Sequence, residues 1–105
     1  MTSKTARVPL TQGNLTNHHF YLRTCGALIP EGGLGGANKS DPGRPFRVRF
    51  EPGPTVDTDV AGDKMILRDR KAVRAFFETA AAEAGDVVVI EASSEREWRV
   101  WLDKV

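Results

Sequence analysis

The greatest variety of hydrogen-bonding side chains occurs near the start of the chain, between Leu10 and Arg23. Their side chains carry amide, hydroxyl, imidazole, phenol and guanidinium groups, and the stretch contains no carboxylate. Such an inventory suits the recognition of a polyanion that also presents base edges. The residues concerned are Gln12, Asn14, Thr16, Asn17, His18, His19, Tyr21 and Arg23.

Metal binding and covalent catalysis are weaker interpretations of the same region. His18 and His19 would point to opposite faces of a strand, so they could not easily share a metal ion. The single Cys25 has no second cysteine for a disulfide or redox pair and no orienting group for a nucleophile, so we interpret it as a small buried hydrophobe. The sequence therefore predicts no catalytic residue, no metal and no cofactor.

Two further stretches partly match sequence patterns of known functional sites. Residues 33 to 40, GLGGANKS, approach the phosphate-binding pattern G-x-x-x-x-G-K-[ST], but Asn38 replaces the last glycine and no helix follows. Lys39 could still contact a phosphate. Asp69 and Lys71 could be half of a metal-dependent nuclease site, although Asp69 is better explained as a helix cap. A small nuclease therefore stays open as an alternative.

Composition indicates one small domain over residues 1 to 105, with a cytoplasmic location. At 40% hydrophobic and 28% charged residues, the chain is typical of a folded domain, and its start lacks the apolar core of a signal peptide. The net charge is only +1, but residues 1 to 50 hold seven Lys or Arg against two acidic residues, whereas residues 51 to 105 hold eight against twelve. This asymmetry is compatible with one electropositive face.

Hydrophobic patterning predicts a mainly β fold that would position these residues. Residues 12 to 17 would form a polar loop, and the following strand would bury Phe20 and Leu22 while His19, Tyr21 and Arg23 face outward. A helix is expected from Arg70 to Ala84, with Asp69 as its cap and Gly85 at its end. The seven predicted strands cover residues 6–11, 18–23, 45–51, 55–60, 64–67, 87–91 and 96–102.

The second half of the chain resembles the DNA-binding pseudobarrel of the plant B3 type. The resemblance rests on a helix with the Phe76-Phe77 pair, then Gly85-Asp86 and the apolar run from Val87 to Ile90. The opening stretch, with Leu10-Thr11 and the run His18 to Leu22, resembles the first DNA-reading arm of effector domains in bacterial restriction endonucleases. Those domains usually have a His-Gln pair in a longer arm, where this chain has His18-His19.

The resemblance implies a seven-stranded open pseudobarrel that holds the major groove of double-stranded DNA between two arms. The polar stretch described above would form the first arm, and residues 55 to 70 would hold the second. Candidate contacts in the second arm are Thr58, Asp59, Lys64, Arg68 and Arg70, with Asp59 accepting from a cytosine amino group.

The function implied is that of a non-catalytic target-reading module of a restriction system, with the nuclease on another domain or chain. Sensitivity to cytosine methylation is a further expectation, since Tyr21 or Trp101 could contact a methyl group. A protein-interaction barrel without DNA binding is the second alternative.

Overall fold

The computed structural model describes residues 4–104, so residues 1–3 and 105 at the ends of the predicted domain lie outside the described part. The fold is mainly β, as the sequence predicted, and it has two α-helices. A 3₁₀ turn spans Gly26–Leu28, and the helices are α1 (Gln12–Asn17) and α2 (Arg70–Thr79). The strands are β1 (Lys4–Pro9), β2 (Leu34–Gly35), β3 (Phe46–Glu51), β4 (Thr55–Thr58), β5 (Val60–Ala61), β6 (Ile66–Leu67), β7 (Val87–Ser94) and β8 (Glu97–Asp103).

The strands form two mixed sheets that do not close into one barrel. The larger sheet has the order β1-β7-β8-β3-β4, in which only β3 and β8 run parallel. The smaller sheet has the order β2-β5-β6, with β2 parallel to β5. The described residues hold eight strands where the sequence predicted seven. The predicted strand 55–60 is split at Asp59, where the chain passes from the larger sheet to the smaller one.

The core lies on the inner face of the larger sheet. Strand β3 buries Phe46, Val48 and Phe50, as its alternating sequence predicted. The ring of Phe50 lies 4.9 Å from that of Phe76 on α2, and the ring of Phe46 lies 4.9 Å from that of Trp98 on β8. The first contact packs α2 onto the sheet, and the second joins the neighbouring strands β3 and β8. The inner faces of β7 and β8 complete the core with Val88, Ile90 and Val100.

Helix α2 begins where the sequence predicted and ends earlier. The carboxylate of Asp69 accepts a hydrogen bond from the backbone N–H of Ala72 at 3.0 Å, which confirms the predicted cap. The predicted end near Ala84 is wrong, because the helix stops at Thr79 and Ala81 adopts a left-handed φ of 52°. Gly85 does have the expected left-handed backbone, with a φ of 95°, but it lies in the turn that leads to β7.

Helix α1 replaces the predicted polar loop. Thr11 and Asn14 form a reciprocal capping box, with the Asn14 N–H donating to the Thr11 hydroxyl at 3.2 Å and the Thr11 N–H donating to the Asn14 side chain at 2.9 Å. His18 then ends the helix in the left-handed conformation. The loop prediction was wrong because these local hydrogen bonds compensate for residues with low helix propensity, such as Gly13 and Asn17.

The predicted strand from His18 to Arg23 is also wrong, although its burial pattern is correct. These residues belong to neither sheet, and the chain turns directly after them, where the N–H of Cys25 donates to the carbonyl of Leu22. Phe20 and Leu22 are nevertheless fully buried. Burial of alternate residues therefore fixes this segment without strand pairing.

Candidate nucleic-acid interface

The two segments predicted as separate arms meet on one surface. The backbone N–H of Leu22 donates to the carbonyl of Met65 at 2.7 Å. At the start of α2, Arg70 donates to the carbonyl of Asn17 from Nε at 3.2 Å and from Nη2 at 2.6 Å. The end of α1, the segment after it and the β5–β6 turn are therefore held side by side, and their exposed side chains form a continuous surface.

Three side chains stand in a row on this surface. The rings of His19 and Tyr21 lie 4.9 Å apart, and the guanidinium carbon of Arg23 lies 4.4 Å from the centre of the Tyr21 ring. Tyr21 is 37% exposed, Arg23 is exposed and His19 is half-buried. The predicted outward row is thus confirmed, and the buried side chains of Phe20 and Leu22 between its members hold it in place.

The surroundings of His19 favour its neutral form. Its pKa is lowered first by partial burial and then by the positive charges of Arg70 and Lys64. A neutral imidazole has one donor and one acceptor nitrogen, so it can hydrogen-bond to either kind of group on a base edge.

The positive charges of this surface have no acidic partners in the part of the chain that the structure describes. The ion pairs among residues 4–104 leave out Arg23, Lys64, Arg70 and Lys71. We call the row together with these cations the cationic surface; its members are His19, Tyr21, Arg23, Lys64, Arg70 and Lys71. Lys71 was not among the predicted contacts.

Three other predicted residues lie on the exposed side of α1, next to this surface. The Thr16 hydroxyl donates to the Gln12 carbonyl at 3.0 Å, and the Asn17 amide donates to the Gly13 carbonyl at 3.0 Å. The Gln12 amide lies 3.5 Å from the Thr16 hydroxyl. All three side chains are exposed, so they remain accessible to a ligand.

Several predicted contact residues are turned into the fold. Asn14 is buried and caps α1, as described above. Thr58 is buried as well, and its hydroxyl accepts from the N–H of Asp69 at 3.1 Å. Their polar groups stabilise local structure, although Asn14 also lines a pocket beside Tyr21 and Arg23.

Asp59 and Arg68 form an internal ion pair that fixes the glycine-rich loop. Arg68 donates to both carboxylate oxygens of Asp59, at 2.8 and 3.0 Å, and also to the carbonyls of Gly36 and Asn38. The Asp59 carboxylate accepts from the N–H of Gly43 at 2.7 Å. We call this pair and its loop contacts the clasp. With Asp59 only 5% exposed, the structure does not support its predicted contact with a cytosine amino group.

The pKa of Asp59 reflects the clasp. Burial alone would raise it, but the hydrogen bonds from Arg68 and from the Gly43 backbone outweigh burial, so the pKa is lowered. Lys39 is exposed in the loop that the clasp holds, and no hydrogen bond or ion pair within residues 4–104 joins it to the cationic surface.

The outer face of the larger sheet offers a contrast, because its arginines are paired. Arg49 lies 3.2 Å from Glu97, and Arg47 lies 3.8 Å from Asp57. Arg99 lies 2.8 Å from Glu51 and 3.2 Å from Glu91. We call these residues the paired face. Arg47 and Arg49 face outward, but their charges are compensated.

Comparison with known proteins finds no family model, no curated protein and no solved structure that matches this chain. Among residues 4–104, no three His, Cys, Asp or Glu side chains converge where they could hold a metal ion. In the same range, no helix has the length and apolar character needed to cross a membrane.

Proposed function

We propose that this chain binds double-stranded DNA as the non-catalytic, target-reading module of a restriction system in the cytoplasm. One observation carries the proposal: the two polar segments converge on a single surface where a row of hydrogen-bonding side chains lies among cations that form no ion pair within residues 4–104. Cations attract the phosphate backbone, and neutral donors and acceptors read base edges.

The proposal includes the B3-like pseudobarrel as the fold and a nuclease on another domain or chain as the partner. The mainly β architecture and the order of α2, Gly85-Asp86 and the apolar β7 support this assignment. The proposed mode of binding differs from the grip by two separate arms that the sequence predicted, because the two predicted arms contribute to one surface. The contacts that we retain are Gln12, Thr16, Asn17, His18, His19, Tyr21, Arg23, Lys64 and Arg70.

The test is a titration of fluorescently labelled duplex DNA, followed by anisotropy, over salt concentrations from about 50 to about 200 mM. Affinity should fall steeply and log-linearly with salt, because phosphate contacts release counterions. Arg23→Ala should weaken binding, whereas the matched control Arg47→Ala on the paired face should not. Absence of binding at the lowest salt, or an equal loss in both variants, would contradict the proposal.

A selection from a randomised duplex pool, repeated with cytosine-methylated DNA, tests target reading. A sequence-reading module should enrich a defined motif, and Tyr21→Ala or Arg23→Ala should change that motif. Enrichment only in the methylated pool would assign the module to modified DNA. A pool that stays random would show that the chain binds duplexes without reading them.

A further inference from the structure

A groove at one end of the cationic surface is lined by basic side chains from the end of α1 and from α2. It lies between the end of α1 and the first turns of α2 and has a volume of about 180 Å³. His18 contributes from the end of α1, and Arg70, Lys71 and Arg74 contribute from α2. Lys71 and Arg74 belong to none of the segments that the sequence singled out for DNA contact.

The charges in this groove are available to an anion. Arg70 is oriented by the carbonyl of Asn17, an uncharged acceptor, so its full charge remains. Lys71 is exposed, and no ion pair within residues 4–104 includes it. Asp69, the acidic residue next to Arg70, accepts a hydrogen bond from the N–H of Ala72 and forms no ion pair within residues 4–104.

One carboxylate does reach the edge of the groove. Glu78 accepts a hydrogen bond from Arg74 at 2.9 Å, one helical turn along α2. The two side chains are 61% and 66% exposed, and an exposed pair of this kind contributes little stability. Arg74 can therefore exchange Glu78 for a stronger anionic acceptor at small cost.

We propose that this groove binds a phosphate of the DNA backbone and that Glu78 competes with the phosphate for Arg74. The inference rests on the DNA binding proposed above and divides the surface into two parts. The groove fixes the protein on the backbone, whereas the row of His19, Tyr21 and Arg23 reads the bases. Arg70 belongs to both parts, because it lines the groove and its charge acts on His19.

The experiment compares three single variants with the wild-type chain by anisotropy across the salt series. Lys71→Ala should weaken binding about fivefold for every duplex sequence and lower the salt slope by about one, without changing the selected motif. Glu78→Gln should tighten binding by about threefold, because it frees Arg74. Asp57→Asn is the matched control, since it removes one negative charge and frees Arg47 on the paired face. It should leave affinity nearly unchanged.

The outcomes separate the two proposals. If the wild-type chain binds DNA but Lys71→Ala keeps its affinity and salt slope, the groove is not a phosphate site and DNA binding stands. Equal tightening by Glu78→Gln and Asp57→Asn also overturns the groove, because net charge alone would explain it. If the wild-type chain binds no duplex, both proposals fail. Thermal melts of the variants exclude loss of folding as the cause, and all three substituted side chains are exposed or half-buried.

Discussion

The paired face and the cationic surface both present arginines to solvent, but they differ in what balances the charge. On the paired face, Arg47, Arg49 and Arg99 each lie within 4 Å of a carboxylate on a neighbouring strand. On the cationic surface, Arg23 lies over an aromatic ring and Arg70 binds a backbone carbonyl. The second arrangement orients the side chains and leaves their charge uncompensated.

This difference shows why a net charge of +1 says little about nucleic-acid binding. Strand pairing brings residues on one face of neighbouring strands within contact distance, so an arginine and a carboxylate there can form an ion pair. The cations of the cationic surface, Arg23, Lys64, Arg70 and Lys71, lie outside both sheets, and none of them forms an ion pair within residues 4–104. Substituting a residue of an ion pair should therefore lower the stability of the fold, and substituting an unpaired cation should lower the affinity for DNA.

The largest effect is expected at the clasp, where the Asp59–Arg68 ion pair is more buried than the ion pairs of the paired face. Asp59→Ala should lower the free energy of unfolding by about 3 kcal/mol, because it leaves Arg68 without its partner in a largely buried setting. Urea denaturation measures this loss. Asp57→Ala on the exposed paired face should cost less than about 1 kcal/mol. Similar costs for the two variants would mean that burial does not separate these ion pairs.

The second prediction removes two positive charges from the cationic surface and, in a separate variant, two from the paired face. Arg23→Ala with Lys71→Ala should lower DNA affinity about 30-fold and unfolding free energy by less than about 1 kcal/mol. Arg47→Ala with Arg49→Ala should do the reverse, with nearly unchanged affinity and a loss of about 1 kcal/mol in stability. Anisotropy and urea denaturation on the same preparations provide both readouts. If affinity falls equally in both pairs, the comparison between the two regions is wrong.

A smaller effect is expected from the cap of α1. Thr11→Ala should cost about 1 kcal/mol of stability, because the N–H of Asn14 loses its acceptor. Thr11→Ser keeps the hydroxyl and is the matched control. Since α1 positions Asn17, the acceptor of Arg70, hydrogen exchange in residues 12–17 should increase in the alanine variant while β3 and β8 stay protected. Unchanged exchange in α1 would contradict this prediction.

The smallest effect concerns pH. The pKa of His19 is lowered in the folded state by burial and by Arg70 and Lys64, so the unfolded chain takes up a proton more readily. Its contribution to stability is complete above the ordinary pKa of 6.5 and is lost as the pH falls below that value. The melting temperature should therefore fall more between about pH 7.5 and pH 5.5 in the wild type than in His19→Gln. Parallel curves would contradict the assigned environment.

The local sequence pattern was sufficient to predict the elements in which buried residues repeat at regular spacing. The alternation in β3 and β8, the Asp69 cap and the burial of Phe20 and Leu22 all follow from side-chain periodicity and helix-end chemistry. The outward row of the candidate site was predictable for the same reason, because burying alternate residues leaves the others exposed. Strand pairing was not needed for that result.

The remaining features depend on contacts between distant residues. The strand break at Asp59 follows from its bonds to Arg68 and Gly43, 9 and 16 positions away. The basic groove requires the contact of Arg70 with Asn17, 53 positions away. The signal for α1 was local, but its capping box has Asn14 where Glu or Gln is usual.

The buried anchors Phe20 and Leu22 have a consequence for how this protein could change over evolution. Because they and the Leu22–Met65 hydrogen bond fix the backbone, the side chains of the row contribute little to holding it in shape. Mutation can thus alter His19, Tyr21 and Arg23 with small effects on folding. A library randomised at these three positions would sample new ligand preferences on a constant scaffold, which makes the segment a natural starting point for engineering specificity.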